Sequence, residues 1–126
     1  MSTSYSSSSV IIAGDVPFLR ALLKMAIQDA GFEISGEVSD GSSLLELCAT
    51  KNPDIVVMDL ELPVDEAIRL IESILDINSR VSIVAISDVA SGLSEIAFAV
   101  GARGFLQKPF TIHDLIDMIK KVTPVY

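Results

Sequence analysis

Four short apolar runs in this chain each end on a residue able to do chemistry. Ile55-Val56-Val57-Met58 runs into Asp59, and Val10-Ile11-Ile12-Ala13 runs into Gly14-Asp15. Residues 81–86 run into Ser87-Asp88, and residues 104–107 into Lys108-Pro109. If these runs lie side by side, two acids, a hydroxyl and an ammonium converge on one edge. Glu61 and Asp88 add further carboxylates nearby, and Lys108 is the only cation these ends supply. Like charges this close raise one another's pKa or require a counter-ion. A hard dication suits such a cleft: Mg²⁺ takes one or two carboxylates, a carbonyl and waters, and leaves room for phosphate oxygens. A metal, a lysine and a hydroxyl around a carboxylate form a phosphoryl-binding arrangement, because phosphoryl transfer asks mainly for positioning and charge neutralisation. A carboxylate can itself be the nucleophile and become an acyl phosphate. Asp59 is therefore read as a phosphoryl acceptor.

The elements that would hold these groups follow from the apolar pattern. An uninterrupted run such as 55–58, with Pro53 before it, reads as a strand buried on both faces, hence part of a parallel sheet. In open parallel sheets, sites lie beyond the carboxyl ends of the strands. Strands are expected at roughly 9–14, 33–38, 55–59, 81–86 and 103–107. Helix one starts near Pro17, a residue suited to a first helical turn, with Leu19, Leu22, Leu23, Ala26, Ile27 and Ala30 as its core face; Gly31 stops it. Helix two covers about 42–51 with Leu44, Leu45, Leu47 and Cys48 inward. Helix three runs from about Asp65 to Ile77, burying Ala67, Ile68, Ile71, Ile74 and Leu75. Helix four begins at Ser91-Gly92, with Leu93, Ile96, Ala97 and Val100 inward. Thr111 followed by Asp114 is a capping-box-like start to helix five, which faces Ile112, Leu115, Ile116, Ile119 and Val122 to the core. Strand and helix alternate five times, so the expected fold is an α/β domain with a parallel sheet and helices on both faces.

The 126 residues suffice for one domain with one core. Half are hydrophobic, which excludes disorder for the bulk of the chain. The serine-rich stretch 1–9 is polar and low in complexity, so a flexible tail is expected there, with the domain at 10–123. A formal net charge of -8, with nine scattered basic residues, argues against nucleic-acid binding. The single cysteine, Cys48, cannot form an intramolecular disulfide and reads as a small buried thiol. No apolar run approaches the roughly 20 residues that span a membrane. Without a basic and apolar leader pattern, a soluble cytoplasmic protein is the expectation.

The residues at these ends resemble a family, the CheY-like receiver domains of two-component response regulators, over about 10–123. Asp15 stands 44 positions before Asp59. Asp59-Leu60-Glu61-Leu62-Pro63 resembles the family's phosphoacceptor loop, Ser87 stands at its Ser/Thr position, and 101–110 matches its strand-five signature. The resemblance implies a flavodoxin-like (βα)5 fold, with Asp59 phosphorylated by a histidine kinase or phosphotransfer protein. It implies Mg²⁺ on Asp15, Asp59 and the backbone carbonyl of Glu61. Lys108 would pair with Asp59 and then with phosphate, Ser87 would hydrogen-bond the phosphoryl group, and Phe105 would change rotamer as the switch. The face made by helix four, strand five and helix five would then signal to a downstream protein or output domain. Residues 16–19 resemble the kinase-docking end of helix one.

The chain also departs from that family. Gly14 stands where a second acid is usual, and Asp88 stands where a small residue is usual. The segment 87–101 is one residue shorter, and Val64 and Ala67 replace glycines. These departures motivate an alternative reading, a phosphorylation-independent pseudo-receiver acting as a protein-binding module. A small phosphatase or flavin protein lacks support: Glu61 stands where a phosphatase's second Asp belongs, and no Gly-rich phosphate loop follows strand one. The expected activity is self-catalysed phosphoryl acceptance rather than turnover. His113 reads as a surface residue. A homodimer through the last helices stays open, with no countable pattern behind it.

Overall fold

A computed structural model of the chain describes residues 8–88 and 93–124. The apolar runs form five parallel strands: β1 (Ser9–Gly14), β2 (Glu33–Val38), β3 (Ile55–Asp59), β4 (Ser82–Ser87) and β5 (Gly104–Gln107). They lie in the order β2-β1-β3-β4-β5, each pair parallel. Five helices connect and follow them: α1 (Pro17–Asp29), α2 (Gly41–Lys51), α3 (Val64–Ile77), α4 (Leu93–Ala99) and α5 (Ile112–Val122). This is the (βα)5, flavodoxin-like architecture. No helix among the described residues is long and apolar enough to cross a membrane.

Because side chains alternate along a strand, each central strand feeds two cores. Ile11, Ala13, Val56, Met58, Ile83 and Ala85 point to one face, where Leu44 and Cys48 of α2, Leu70, Ile71 and Ile74 of α3 and Ala97 of α4 cover them. Val10, Ile12, Ile55, Val57, Val84 and Ile86 point to the other, under Leu23 and Ile27 of α1 and Leu115 and Ile119 of α5. Burial of each such aliphatic side chain contributes about 1.5–3 kcal/mol. All five residues of β3, Asp59 included, are buried.

The local signals act as expected. Pro17 opens α1, Asp40 caps α2 by accepting from the Ser43 amide, and Thr111 and Asp114 form a reciprocal capping box on α5. Gly101 follows α4 at φ 116°, where a Cβ would come within 2.5 Å of Leu75 Cδ1, so the position requires glycine. At the amino end, Ser8 is buried and Ser9 begins β1.

The core faces expected for the helices are too wide. Leu19, Leu22, Ile96 and Ile112 were expected inward, yet they are 38–52 % exposed. On α3 the buried set is Leu70, Ile71 and Ile74; Ala67, Ile68 and Leu75 are half-buried. Leu45 and Leu47 of α2 and Ile116 and Val122 of α5 are also half-buried. A helix resting on one face of a sheet buries only the arc in contact, so apolar residues at the margins stay in water. Leu70 is buried because α3 also packs on the start of α2, where Leu70 lies against Gly41. The expected start of helix four at Ser91-Gly92 lies outside the described residues.

Candidate functional site

The sheet brings the four strand ends to one edge. β1 and β3 pair with Gly14 opposite Asp59, and β4 and β5 pair with Ser87 opposite Gln107. The backbone amide of Lys108 donates to the Ser87 carbonyl at 2.9 Å, closing the last two ends together. Asp59 is 8 % exposed at the bottom of a cleft of about 270 Å³. Leu60, Glu61, Leu62 and Pro63 line one wall; Ile86, Ser87, Asp88 and Lys108 line the other.

Lys108 reaches into this cleft, and its ammonium lies 2.8 Å from Asp59 Oδ1. Burial pulls the Lys108 pKa down, but the hydrogen bond and charge of Asp59, joined by the charges of Asp88 and Glu61, outweigh it and hold the pKa above the ordinary lysine value. Asp15 is exposed beyond β1. Its Oδ2 accepts from the Glu61 amide at 3.1 Å, which ties the 60–63 loop to the end of β1. Asp88 lines the cleft with Asp59 and Lys108.

Phe105 is half-buried on β5. A second, narrow cavity lies beside it, lined also by Met58, Leu62, Ala85, Ser87 and Ala97. The ring and the cleft thus share Ser87 as a common wall. His113 is exposed and pairs with Asp117 one helical turn on. Cys48 is buried, and burial pushes its thiol up to about 11.

Two features were not legible as site elements. Arg20 Nη1 donates to the Gly14 carbonyl at 2.6 Å, and its Nε contacts Glu37 at 3.4 Å. Lys24 also holds Glu37 at 2.8 Å, and its hydrogen bond is the largest cause holding that carboxyl below its ordinary value. The sequence signal is an arginine one turn into the helix that follows Gly14-Asp15. The second feature is an apolar groove of about 310 Å³ running from Asp59 and Lys108 between α1 and the start of α5. Leu19, Leu22, Leu23, Phe110 and Ile112 line it. Its signal was the surplus of apolar residues on these two helices.

Among the described residues no group of three His, Cys, Asp or Glu side chains is placed to hold a metal. The oxygen donors at hand are the Asp59 carboxylate in the cleft, the 60–63 loop that lines it, and Asp15, which lies outside the cleft lining and joins that loop through the Glu61 amide. That chemistry fits a hard dication that keeps most of its own waters. A Cβ at Gly14 would meet only ordinary contacts, the nearest being Arg20 Cβ at 3.5 Å, so packing does not forbid the second acid there.

The family model for the response regulator receiver domain matches residues 10–120. The chain belongs to this family and is a receiver domain of two-component phosphorelay signalling. It is 33% identical over 115 residues to the chemotaxis protein CheY of Thermotoga maritima, covering 90% of this chain and 96% of that one. It is 34% identical over 111 residues to the transcriptional regulatory protein PdtaR of Mycobacterium tuberculosis, covering 88% of this chain and 54% of that one. The chain therefore spans about half the length of that relative. Among solved structures it resembles a LuxR-family two-component response regulator from Aurantimonas, with TM-score 0.82 and 25% identity over 96% of this chain and 85% of the other.

Proposed function

We propose that this domain, residues 10–123, accepts a phosphoryl group on Asp59 from a phosphohistidine of a histidine kinase or phosphotransfer protein, with Mg²⁺ as the metal. The observation that carries the reading is the Lys108–Asp59 ion pair at 2.8 Å in an otherwise acidic cleft. Asp59 supplies the attacking oxygen. Lys108 holds that carboxylate in place and neutralises charge as the phosphoryl group arrives. Ser87 donates its hydroxyl to a phosphoryl oxygen. Asp15, Asp59 and the Glu61 carbonyl hold the metal, which when bound offsets the charge on the phosphoryl oxygens. The apolar groove beside the cleft, with exposed Phe18 and Leu19 nearby, suits an apolar helical surface on the donor protein.

Signalling follows from the shared wall. When Ser87 turns toward a phosphoryl oxygen, the cavity it lines with Phe105 changes shape, and the Phe105 ring moves into it. That biases the surface of α4, β5 and α5, where Ile96 and Phe98 are exposed, toward a downstream protein or output domain. The protein is a switch that consumes its donor once per cycle rather than a turnover enzyme. Asp88 on the cleft wall favours a second reading, a protein-binding module that works unphosphorylated.

The two readings separate on one experiment. Incubation with Mg²⁺ and phosphoramidate is expected to add the mass of one phosphoryl group to the wild type. Asp59→Asn, or chelation of the metal, is expected to abolish the gain. Unchanged mass in the wild type contradicts the acceptor reading and leaves the binding module.

A further inference from the structure

Asp88 has no part in the acceptor chemistry, yet it stands on the wall of the cleft. It follows Ser87 directly at the end of β4 and is exposed. Asp59, Glu61 and Asp88 line the same cleft as Lys108. The Lys108 ammonium is already engaged by Asp59 at 2.8 Å, so one cation faces three carboxylates. The Asp88 charge acts on the Lys108 ammonium, as does that of Glu61. An incoming phosphoryl donor must pass the same field, and a walled cleft focuses it.

Donors differ in how they carry charge through this field. In transfer from an acyl phosphate, the Asp59 oxygen forms a bond to phosphorus and the phosphorus–oxygen bond to the carboxyl breaks. The electron pair stays on that oxygen, and an anion departs. In transfer from a phosphorus–nitrogen donor the new bond is the same, but the broken bond leaves its pair on a nitrogen that carries a proton. The departing group is then neutral. Repulsion by a fixed carboxylate weighs more on the first class, and specificity built from repulsion is a general device.

We infer that Asp88 determines donor specificity, turning Asp59 away from small acyl phosphates and toward phosphorus–nitrogen donors with a protonated leaving nitrogen. The inference rests on Asp59 being the acceptor. It assigns a role to the departure from the family pattern that lines the cleft of Asp59 and Lys108.

The test compares initial rates of phosphorylation of the whole chain by acetyl phosphate and by phosphoramidate, at saturating Mg²⁺, in wild type, Asp88→Asn and Asp88→Ala. One unit charge a few ångströms from the reacting group alters a rate by roughly three- to tenfold. Both variants are expected to speed the acetyl phosphate reaction by that factor while changing the phosphoramidate rate by less than about twofold. High salt is expected to shrink the difference, because the carboxylate is exposed. An unchanged ratio of the two rates, in a protein that still takes up phosphate, overturns this inference alone. No uptake from either donor, in wild type and variants alike, overturns the acceptor reading and this inference together.

Discussion

At the scale of single residues, the Lys108–Asp59 pair sets the charge balance of the site. The Lys108 side chain is 27% exposed and that of Asp59 10%, so neither charge is fully hydrated. Replacing Lys108 with Met leaves a nearly buried carboxylate without its cation and is expected to cost roughly 1–3 kcal/mol at neutral pH. The pH dependence has a definite sign. Because the folded Lys108 pKa lies above the ordinary lysine value of 10.5, the pair's contribution is complete below the unfolded pKa. It is lost as pH rises through the folded one. Urea unfolding of wild type and Lys108→Met is expected to differ at pH 7 and to converge above about pH 10.5. A constant gap across that range would contradict the assignment. Cys48 gives a second residue-scale prediction. Its buried thiol, raised to about 11, is expected to resist alkylation at pH 8 until denaturant opens the fold. Labelling of the native protein as fast as of the unfolded one would count against its burial.

At the scale of elements, the strands and most boundaries were readable because each depends on local chemistry. Glu33–Val38 was read to the residue, and Thr111–Asp114 capped α5 as its spacing required. Helix faces were less readable, because periodicity locates an apolar arc but not the part of it that meets a neighbour. Leu22 and Ile74 occupied equivalent places in their patterns; Leu22 is 42% exposed, whereas Ile74 is fully buried. Ile74→Ala is accordingly expected to cost about 2–5 kcal/mol. Leu22→Ala is expected to cost about 0.5 kcal/mol or less, as surface changes do. Chemical denaturation of the two variants checks this, and similar losses would refute the difference in burial. Exposed Leu19, Leu22 and Ile112 have a place in the groove beside Asp59, so the surplus on these helices was a surface rather than a misplaced core.

At the scale of the whole molecule, the candidate site was legible because a parallel sheet delivers the carboxyl ends of its strands to one edge. Asp59, Ser87 and Lys108 needed only that rule to be placed together. The Arg20 contact and the place of Asp88 in the cleft were not legible, since a contact between a helix and a strand end, or the surroundings of an exposed residue, leave no periodic trace. The same geometry bears on the missing acid. Gly14 sits opposite Asp59 in the sheet, where a Cβ would make only ordinary contacts. Gly14→Asp is therefore expected to fold and to tighten Mg²⁺ binding several-fold. The readout is the Mg²⁺ concentration needed to raise the melting temperature; weaker binding than wild type would show that Arg20 captures the new carboxylate.

The central claim is that one carboxylate, Asp59, takes up phosphate, and chemistry can locate it. After incubation with Mg²⁺ and phosphoramidate, borohydride reduces an aspartyl phosphate to homoserine, and peptide mass mapping then shows which residue was converted. The account predicts homoserine at position 59 alone, dependent on Mg²⁺ and absent in Asp59→Asn. Conversion at another acid, or at none while the untreated protein remains folded, would contradict it.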